Sequence, residues 1–251
     1  MMTNSFTPFI AKDRYIGPYQ FDMHIEDENA KEWYDTNPNQ WQRERQWCID
    51  TIRPGFNVLD CGAHQGLTTL LFSYCVGSDG VVHAWEALPQ NASLIERNAI
   101  LNGRTNIVVH PYGVGSQSGL IPISENSGNS VIVGAGSIFP ATGQIKVVRL
   151  DDDVSPDMRV DFLKIDVEGH ELHALRGAER ILSNRPFLML ELHHFLWSDA
   201  QGTATEIGRI LNNLDYYVWI DDFEKATDIG KNVDAEWFTK SPHAQLYCAP
   251  A

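Results

Sequence analysis

Short apolar runs alternate with segments of helical period along most of the 251-residue chain. Val58-Leu59 follows the turn signal Pro54-Gly55 and predicts a buried strand that ends at Asp60. Residues 67–76 have helical character, 77–80 form a turn, and 81–86 read as a second strand. Pro89 opens a helix over 90–101, Asn102-Gly103 stops it, and 106–111 read as a third strand. Strand character returns at 145–150 and again at 160–166, the latter ending in an acid. A helix is expected over 169–182 with Gly177 inside it, then strands at 186–193, 216–220 and 243–248, with a helix over 203–214. Strands alternating with helices imply a parallel sheet covered on both faces. No helical pattern separates the last two strands, so the final one is expected to be antiparallel.

Two stretches depart from this rhythm. Residues 113–145 are rich in Gly, Ser and Asn, with short apolar pieces such as Leu120-Ile-Pro-Ile123 and Ser130-Val-Ile-Val133. They read as an irregular insertion with one or two hairpins, serving either as a lid or substrate loop or as plain decoration. Residues 1–40 read as an N-terminal cap segment ahead of a domain over 41–251. The cap has turn signals at Gly17-Pro18 and Asn37-Pro38, and a short alternating strand at 21–25. Residues 39–52 look helical, with Trp41, Arg45 and Cys48 on one face and Glu44, Trp47 and Thr51 on another. The tryptophans of this helix are read as core packing rather than substrate contacts.

A hydrophobic content of 43% at this length supports one substantial core. The net charge of −14 disfavours nucleic acid and anionic membranes, which favour a basic face. Four cysteines without a C-x-x-C spacing suit neither zinc nor a disulfide framework, and make a cytoplasmic, reducing setting the default. Neither a membrane-spanning apolar run nor a signal peptide is read, and self-association into a homo-oligomer stays open.

The chemistry centres on Phe56-Asn-Val-Leu-Asp60-Cys-Gly62-Ala-His-Gln-Gly66, a strand, a glycine turn and the start of a helix. The glycine spacing fails the dinucleotide pattern G-x-G-x-x-G, and Leu67 after Gly66 fails the P-loop. Acidic-x-Gly-x-x-x-Gly is instead the first motif of S-adenosylmethionine (SAM) methyltransferases with a Rossmann-like fold. Glu86 ends the next strand, where an ionised carboxylate can accept both hydroxyls of a ribose.

Three stretches together resemble the FkbM family of SAM-dependent methyltransferases: residues 58–66, Trp85-Glu86, and Asp161-Phe-Leu-Lys-Ile-Asp-Val-Glu-Gly-His-Glu171. Leu163-Lys-Ile-Asp-Val-Glu-Gly169 with Leu175-Arg-Gly-Ala178 is the most specific part, supported by Val148-Arg-Leu-Asp-Asp152 and Leu190-Glu-Leu-His193. The likeness spans roughly 43–194, and departs at Ala87-Leu88, where the family usually has a proline soon after the acid. It implies an α/β, Rossmann-like, seven-stranded class I sheet, mostly parallel with an antiparallel last strand and helices on both faces. It also implies O-methylation of a saccharide or other small hydroxylated acceptor.

The expected cofactor residues are Asp60, Gly62, Gly66 and Glu86, with backbone N–H groups from Ala63, His64 and Gln65. The His64 side chain is read as a bystander. Tyr112 and Gly113 occupy the position after the third strand where an adenine would be held by backbone and stacking. Asp166 ends its strand beside the methyl donor, and with Glu168, His170, Glu191 and His193 it forms the catalytic set at two adjacent strand ends. Glu168 and Glu171 also suit simple stabilisation of a helix N-terminus. In the expected mechanism His193, or failing it His170, takes the acceptor proton while Asp166 or Glu191 orients it, without a metal. A second mechanism has Asp166 and Glu191, with Glu168 or His193, ligating a magnesium-type cation. Two other classes compete: a non-catalytic nucleotide-binding scaffold, and an NAD-linked oxidoreductase that the missing G-x-G-x-x-G opposes.

Overall fold

The computed structural model describes residues 6–36, 41–126, 129–132, 140–240 and 243–251, without the side chains of Asn126 and 129–132. The expected turn at Asn37-Pro38, the first two residues of the helix expected from Asn39, and part of the 113–145 insertion lie outside these residues.

The chain opens on an antiparallel hairpin, β1 (Phe9–Ile16) with β2 (Tyr19–Ile25). The alternating residues 21–25 fall in β2; β1 carries no comparable pattern. Asp27 then caps α1 (Glu28–Ala30), which runs into a π-helical turn over Lys31–Thr36. α2 (Gln42–Thr51) starts directly after Trp41, whose φ of 59° takes it out of the helix.

The core follows: β3 (Asn57–Cys61), α3 (Leu67–Val76), β4 (Val81–Trp85), α4 (Pro89–Leu101) and β5 (Ile107–His110). The insertion is more regular than its composition suggests. β6 (Gly113–Val114), β7 (Gly119–Asn126), β8 (Asn129–Ile132) and β9 (Gly143–Val148) form a separate sheet in the order β6-β9-β7-β8. β7 and β8 make the expected hairpin. The strand expected over 145–150 stops at Val148, because Leu150 opens α5 (Leu150–Asp153).

The core sheet resumes with β10 (Phe162–Ile165), α6 (Glu171–Arg176), α7 (Glu179–Ser183) and β11 (Phe187–Leu192). It closes with α8 (Ala200–Asn213), β12 (Tyr216–Asp221), β13 (Ala226–Gly230), α9 (Glu236–Thr239) and β14 (Ala244–Pro250). The strand order is β13-β12-β14-β11-β10-β3-β4-β5. Strands β11, β10, β3, β4 and β5 are mutually parallel, and β14 runs antiparallel to both β11 and β12. These are the seven strands expected from sequence. An eighth, β13, extends the edge beyond β12, in a stretch with no apolar alternation to betray it.

Alternate residues of the central strands point to opposite faces. Val58, Phe162, Met189 and Tyr247 join α2, α3 and the N-terminal hairpin in one apolar cluster. Leu59, Leu163, Leu190 and Leu246 face α6, α7 and α8 in another. Helices therefore cover both faces, and the strand ends between them are left for the site. Among the described residues no helix is long and apolar enough to cross a membrane.

The single helix expected over 169–182 is two, broken at Gly177-Ala178. Gly177 is there for contact rather than for an unusual φ. A Cβ on it would lie 2.1 Å from the Gly115 carbonyl oxygen. Gly177→Ala is expected to cost ~1–3 kcal/mol through this overpacking, read as a lower urea midpoint with an unchanged m value.

Candidate active site

The glycine turn after β3 is shaped by what lies directly above it. Gly62 has φ +82°, and a Cβ there would sit 1.7 Å from the Asp166 carbonyl oxygen, so no side chain fits. Gly66, with φ +92°, ends the turn and leads into α3. Most of the turn's N–H groups are committed within the fold, where the sequence reading left them for a ligand. Gly62 and Ala63 donate to the Trp85 carbonyl, Gly66 to the Ala63 carbonyl, and His64 to Glu86 Oε2 at 2.8 Å. The turn thus brings its backbone close to the cleft rather than supplying a row of donors.

Glu86 is tied down by both oxygens, Oε1 accepting from the Leu88 N–H at 2.9 Å. It lines the cleft yet is 6% exposed, and burial pushes its pKa up to about 7. Asp60 is wholly buried beneath the turn, accepting from the Thr69 hydroxyl at 2.6 Å, with Lys164 Nζ 3.5 Å from its other oxygen. Gln65 also points inward, donating to Asp27 Oδ2 at 2.6 Å. Both brace the turn from behind. The His64 ring is not a bystander: Nδ1 pairs with the Tyr34 hydroxyl at 2.5 Å, and the ring lies 5.5 Å from that of Trp33.

A cleft of about 720 Å³ opens above the strand ends. Gly62, Ala63, His64, Glu86 and Gly113 line one part of it, and Lys164, Asp166, Glu168, Glu191 and His193 another. Trp33, Tyr34, Trp41 and Glu44 reach it from the N-terminal segment and α2, and Phe223 and His243 from the far end of the sheet. Asp60, Gln65 and Gly66 belong to the turn's support rather than to the lining, and two further expected site residues stand away from the cleft. Tyr112 carries the Lys146 ammonium 4.2 Å over its ring instead of facing an adenine. His170 stacks on His173 at 4.3 Å, and burial, helped by His173, pushes its pKa down to about 3.

The other four catalytic candidates come together. His193, 4% exposed, pairs through Nδ1 with Glu171 Oε1 at 2.8 Å. Its Nε2 faces Glu168 Oε2 at 3.6 Å, Glu191 Oε1 at 3.8 Å and Asp166 Oδ1 at 3.9 Å. Burial disfavours a charge on this ring, but the Glu171 hydrogen bond and the surrounding carboxylates outweigh it and raise the pKa to about 10. With its pKa raised this far the ring holds its proton at neutral pH, and the proton-accepting role expected for it requires the neutral form. Asp166 Oδ2 accepts from Lys164 Nζ at 2.9 Å. Burial pushes the Asp166 carboxyl up, but Lys164 and His193 prevail and hold it below the ordinary range. Glu44 sits above this group, its pKa raised to about 8 by burial and then by Glu191.

Glu171 is more than a stabiliser of a helix end. It is wholly buried and accepts from His193, from Trp197 Nε1 at 2.7 Å and from the Gly169 N–H at 2.8 Å. Lys164 was overlooked although its signal is present: residues two apart on a strand share a face, which places it with Asp166. Glu44, Tyr34 and His243 join the site from segments whose local pattern carries no such mark.

The family model described as the methyltransferase FkbM domain matches residues 60–218. No curated protein sequence matches the chain. The methyltransferase FkbM from Methylobacillus flagellatus KT is similar at 20% identity and a TM-score of 0.49, covering 82% of this chain and 51% of that one. The chain thus spans about half of that protein's length. An rRNA methylase from Streptococcus thermophilus (10% identity, TM-score 0.51) covers 83% of this chain and 95% of that one. A SAM-dependent O-methyltransferase from Thermotoga maritima (13% identity, TM-score 0.50) covers 94% and 76%. At such identities the last two establish the fold, the class I methyltransferase sheet.

In metal-free protein the His193 ring is expected to titrate near 10 by NMR, and Glu171→Gln to return it toward the ordinary histidine range. Since the folded pKa lies above the unfolded one, the stability from this imidazolium is complete below about 6.5 and is lost as pH rises through about 10. Denaturant midpoints of wild type and Glu171→Gln across that range measure it.

Proposed function

The chain belongs to the FkbM methyltransferase family, and from that premise we propose that it moves a methyl group from SAM to a hydroxyl of a saccharide or similar hydroxylated small molecule. One observation carries this reading. The glycine turn touches Glu86 on one side, through the His64 N–H, and the Asp166 backbone on the other, so a single cleft holds both. The Glu86 carboxylate accepts the His64 and Leu88 N–H groups and a side-chain bond from Asn91, which leaves it room for a ribose hydroxyl. The missing side chain at Gly62 lets a ligand lie against the backbone there.

SAM supplies an electrophilic methyl group and its own leaving group. The protein's work is then alignment and proton removal. Asp166, held ionised beside Lys164, opens onto the space where donor and acceptor would meet. The acceptor's proton passes to a carboxylate of the Asp166, Glu168 and Glu191 group rather than to the His193 imidazolium. An acceptor lined by so many acids is a neutral polyol rather than a phosphate ester, and Trp33, Tyr34 and Trp41 offer faces on which a sugar can stack.

A screen of glycans and hydroxylated metabolites with SAM is expected to show a mass gain of one methyl. Binding of NAD but not SAM in calorimetry would remove this reading. SAM affinity is expected to rise between pH 6 and 8 as Glu86 ionises through about 7. Glu86→Gln is expected to lower it about tenfold or more, the loss of ~1.5 kcal/mol for a charge-assisted bond, and to flatten the pH dependence.

A further inference from the structure

We propose that the side chains around His193 form a binding centre for a divalent first-row transition-metal cation, held by His193 Nε2, His243 and Glu191, with Asp166 and Glu168 on its other side. The potential ligand atoms of Glu191, His193 and His243 all lie within 4.8 Å of one another, and so do those of Asp166, Glu168 and His193. The two sets share one imidazole, which places one cation beside that ring.

The spacing around Nε2 is the first argument. Its three facing carboxylate oxygens stand at 3.6, 3.8 and 3.9 Å. That is too far for hydrogen bonds, and close to the separation of two ligands that each sit about 2.0–2.2 Å from a common ion. The second argument is the far side of the ring. Nδ1 is bound by the fully buried Glu171, itself fixed by Trp197 and the Gly169 N–H. A carboxylate gripping one imidazole nitrogen while the other faces a cluster of oxygens is the usual support of a metal-binding histidine. The third is the orientation of Asp166. Lys164 takes Oδ2, and Oδ1 is left turned toward His193. Glu191 and His243 meet in a close pair, which sets two of the ligand atoms side by side.

Two imidazoles with carboxylates suit manganese, iron, cobalt or zinc better than magnesium, which prefers an all-oxygen shell. His243 is thus added to the set read from sequence, Asp166 and Glu191 with Glu168 or His193, and moves the preference away from magnesium. If the proposed methyl transfer is right, the cation would bind the acceptor hydroxyl and lower its pKa; that step rests on the functional reading, the metal centre does not.

The test uses the full chain, chelated and then titrated with manganese or zinc, without SAM or acceptor. Calorimetry and, for manganese, electron paramagnetic resonance are expected to show one equivalent bound. Magnesium is expected to bind at least tenfold more weakly. His193→Ala and His243→Ala are expected to lose tenfold or more of the affinity, and Glu171→Gln about tenfold through a misoriented ring. His243 is partly exposed, so His243→Ala keeps the test alive if His193→Ala fails to fold. Absence of stoichiometric binding, or binding that both histidine variants leave intact, would overturn the proposal, as would magnesium binding more tightly than manganese. Metal binding in a protein that methylates no hydroxyl would sink the functional reading and leave the centre standing. Full methylation after exhaustive chelation would remove the cation's part in the reaction.

Discussion

One buried ammonium ties together the parts from which the site is made. Lys164 projects from the middle of β10, 3% exposed, and its Nζ lies 2.9 Å from Asp166, 3.2 Å from the Gly62 carbonyl and 3.5 Å from Asp60. It thereby links the end of its own strand, the glycine turn and the neighbouring strand β3, in whose register it faces Asp60. Burial alone would lower this lysine's pKa, but Asp166, Asp60 and Glu191 outweigh it and hold the pKa well above normal. Removing one partner of such a group leaves an uncompensated buried charge, typically at ~3–5 kcal/mol. The same ammonium keeps Asp166 ionised where the cleft opens. Stability and site electrostatics are here one interaction.

The cleft has two halves of different legibility. The half with Gly62, Gly66 and Glu86 is encoded locally, since a strand end, a tight turn and a helix start are near neighbours in sequence. Its spacing could be read, and so could the parallel sheet. What spacing did not reveal was that the turn's N–H groups are used within the fold. The other half is assembled from afar: Tyr34 from the N-terminal segment, Glu44 from α2, and His243 just before β14. Nothing local marks such residues as cleft-lining, because their place depends on how distant elements pack. His170 and His193 show the limit well. Each follows a strand by a few residues, yet one ring turns to His173 and the other to the cleft. The same holds for β13, whose residues are half-exposed or exposed and lack an apolar stripe.

The match to the FkbM domain ends at 218 and begins at 60. Much of the wall that an acceptor would meet lies outside it. Trp33, Tyr34, Trp41 and Glu44 precede the matched stretch, and Phe223 and His243 follow it. The N-terminal hairpin is no loose appendage: His24 and Asp22 N–H groups bond to Asn98 of α4 and to its C-cap Asn102, each at 2.9 Å. Its apolar residues join the same cluster as Phe72 and Phe162. The hairpin thus anchors the aromatic segment over the turn, and Asp27 and Tyr34 clasp that turn through Gln65 and His64. The family match covers the glycine turn, Glu86 and the group from Lys164 to His193, and these aromatic and C-terminal wall residues lie outside it.

Charge balance joins these threads. Four carboxylates, Glu44, Asp166, Glu168 and Glu191, line one end of the cleft, with Glu171 directly behind. Lys164, the His193 imidazolium and Arg45 oppose them, and Glu44 resists ionising until about pH 8 because it is buried and Glu191 is near. A protein gains no stability from crowding acids this closely, since like charges raise one another's cost of ionising. The crowding makes sense as a site built for positive charge beyond what the chain supplies. The proposed donor is a sulfonium, and the proposed ion at His193 adds two more charges. With the ion in place His193 would be neutral, its Nδ1–H still donated to Glu171, and the ion's charge would offset the carboxylates around it.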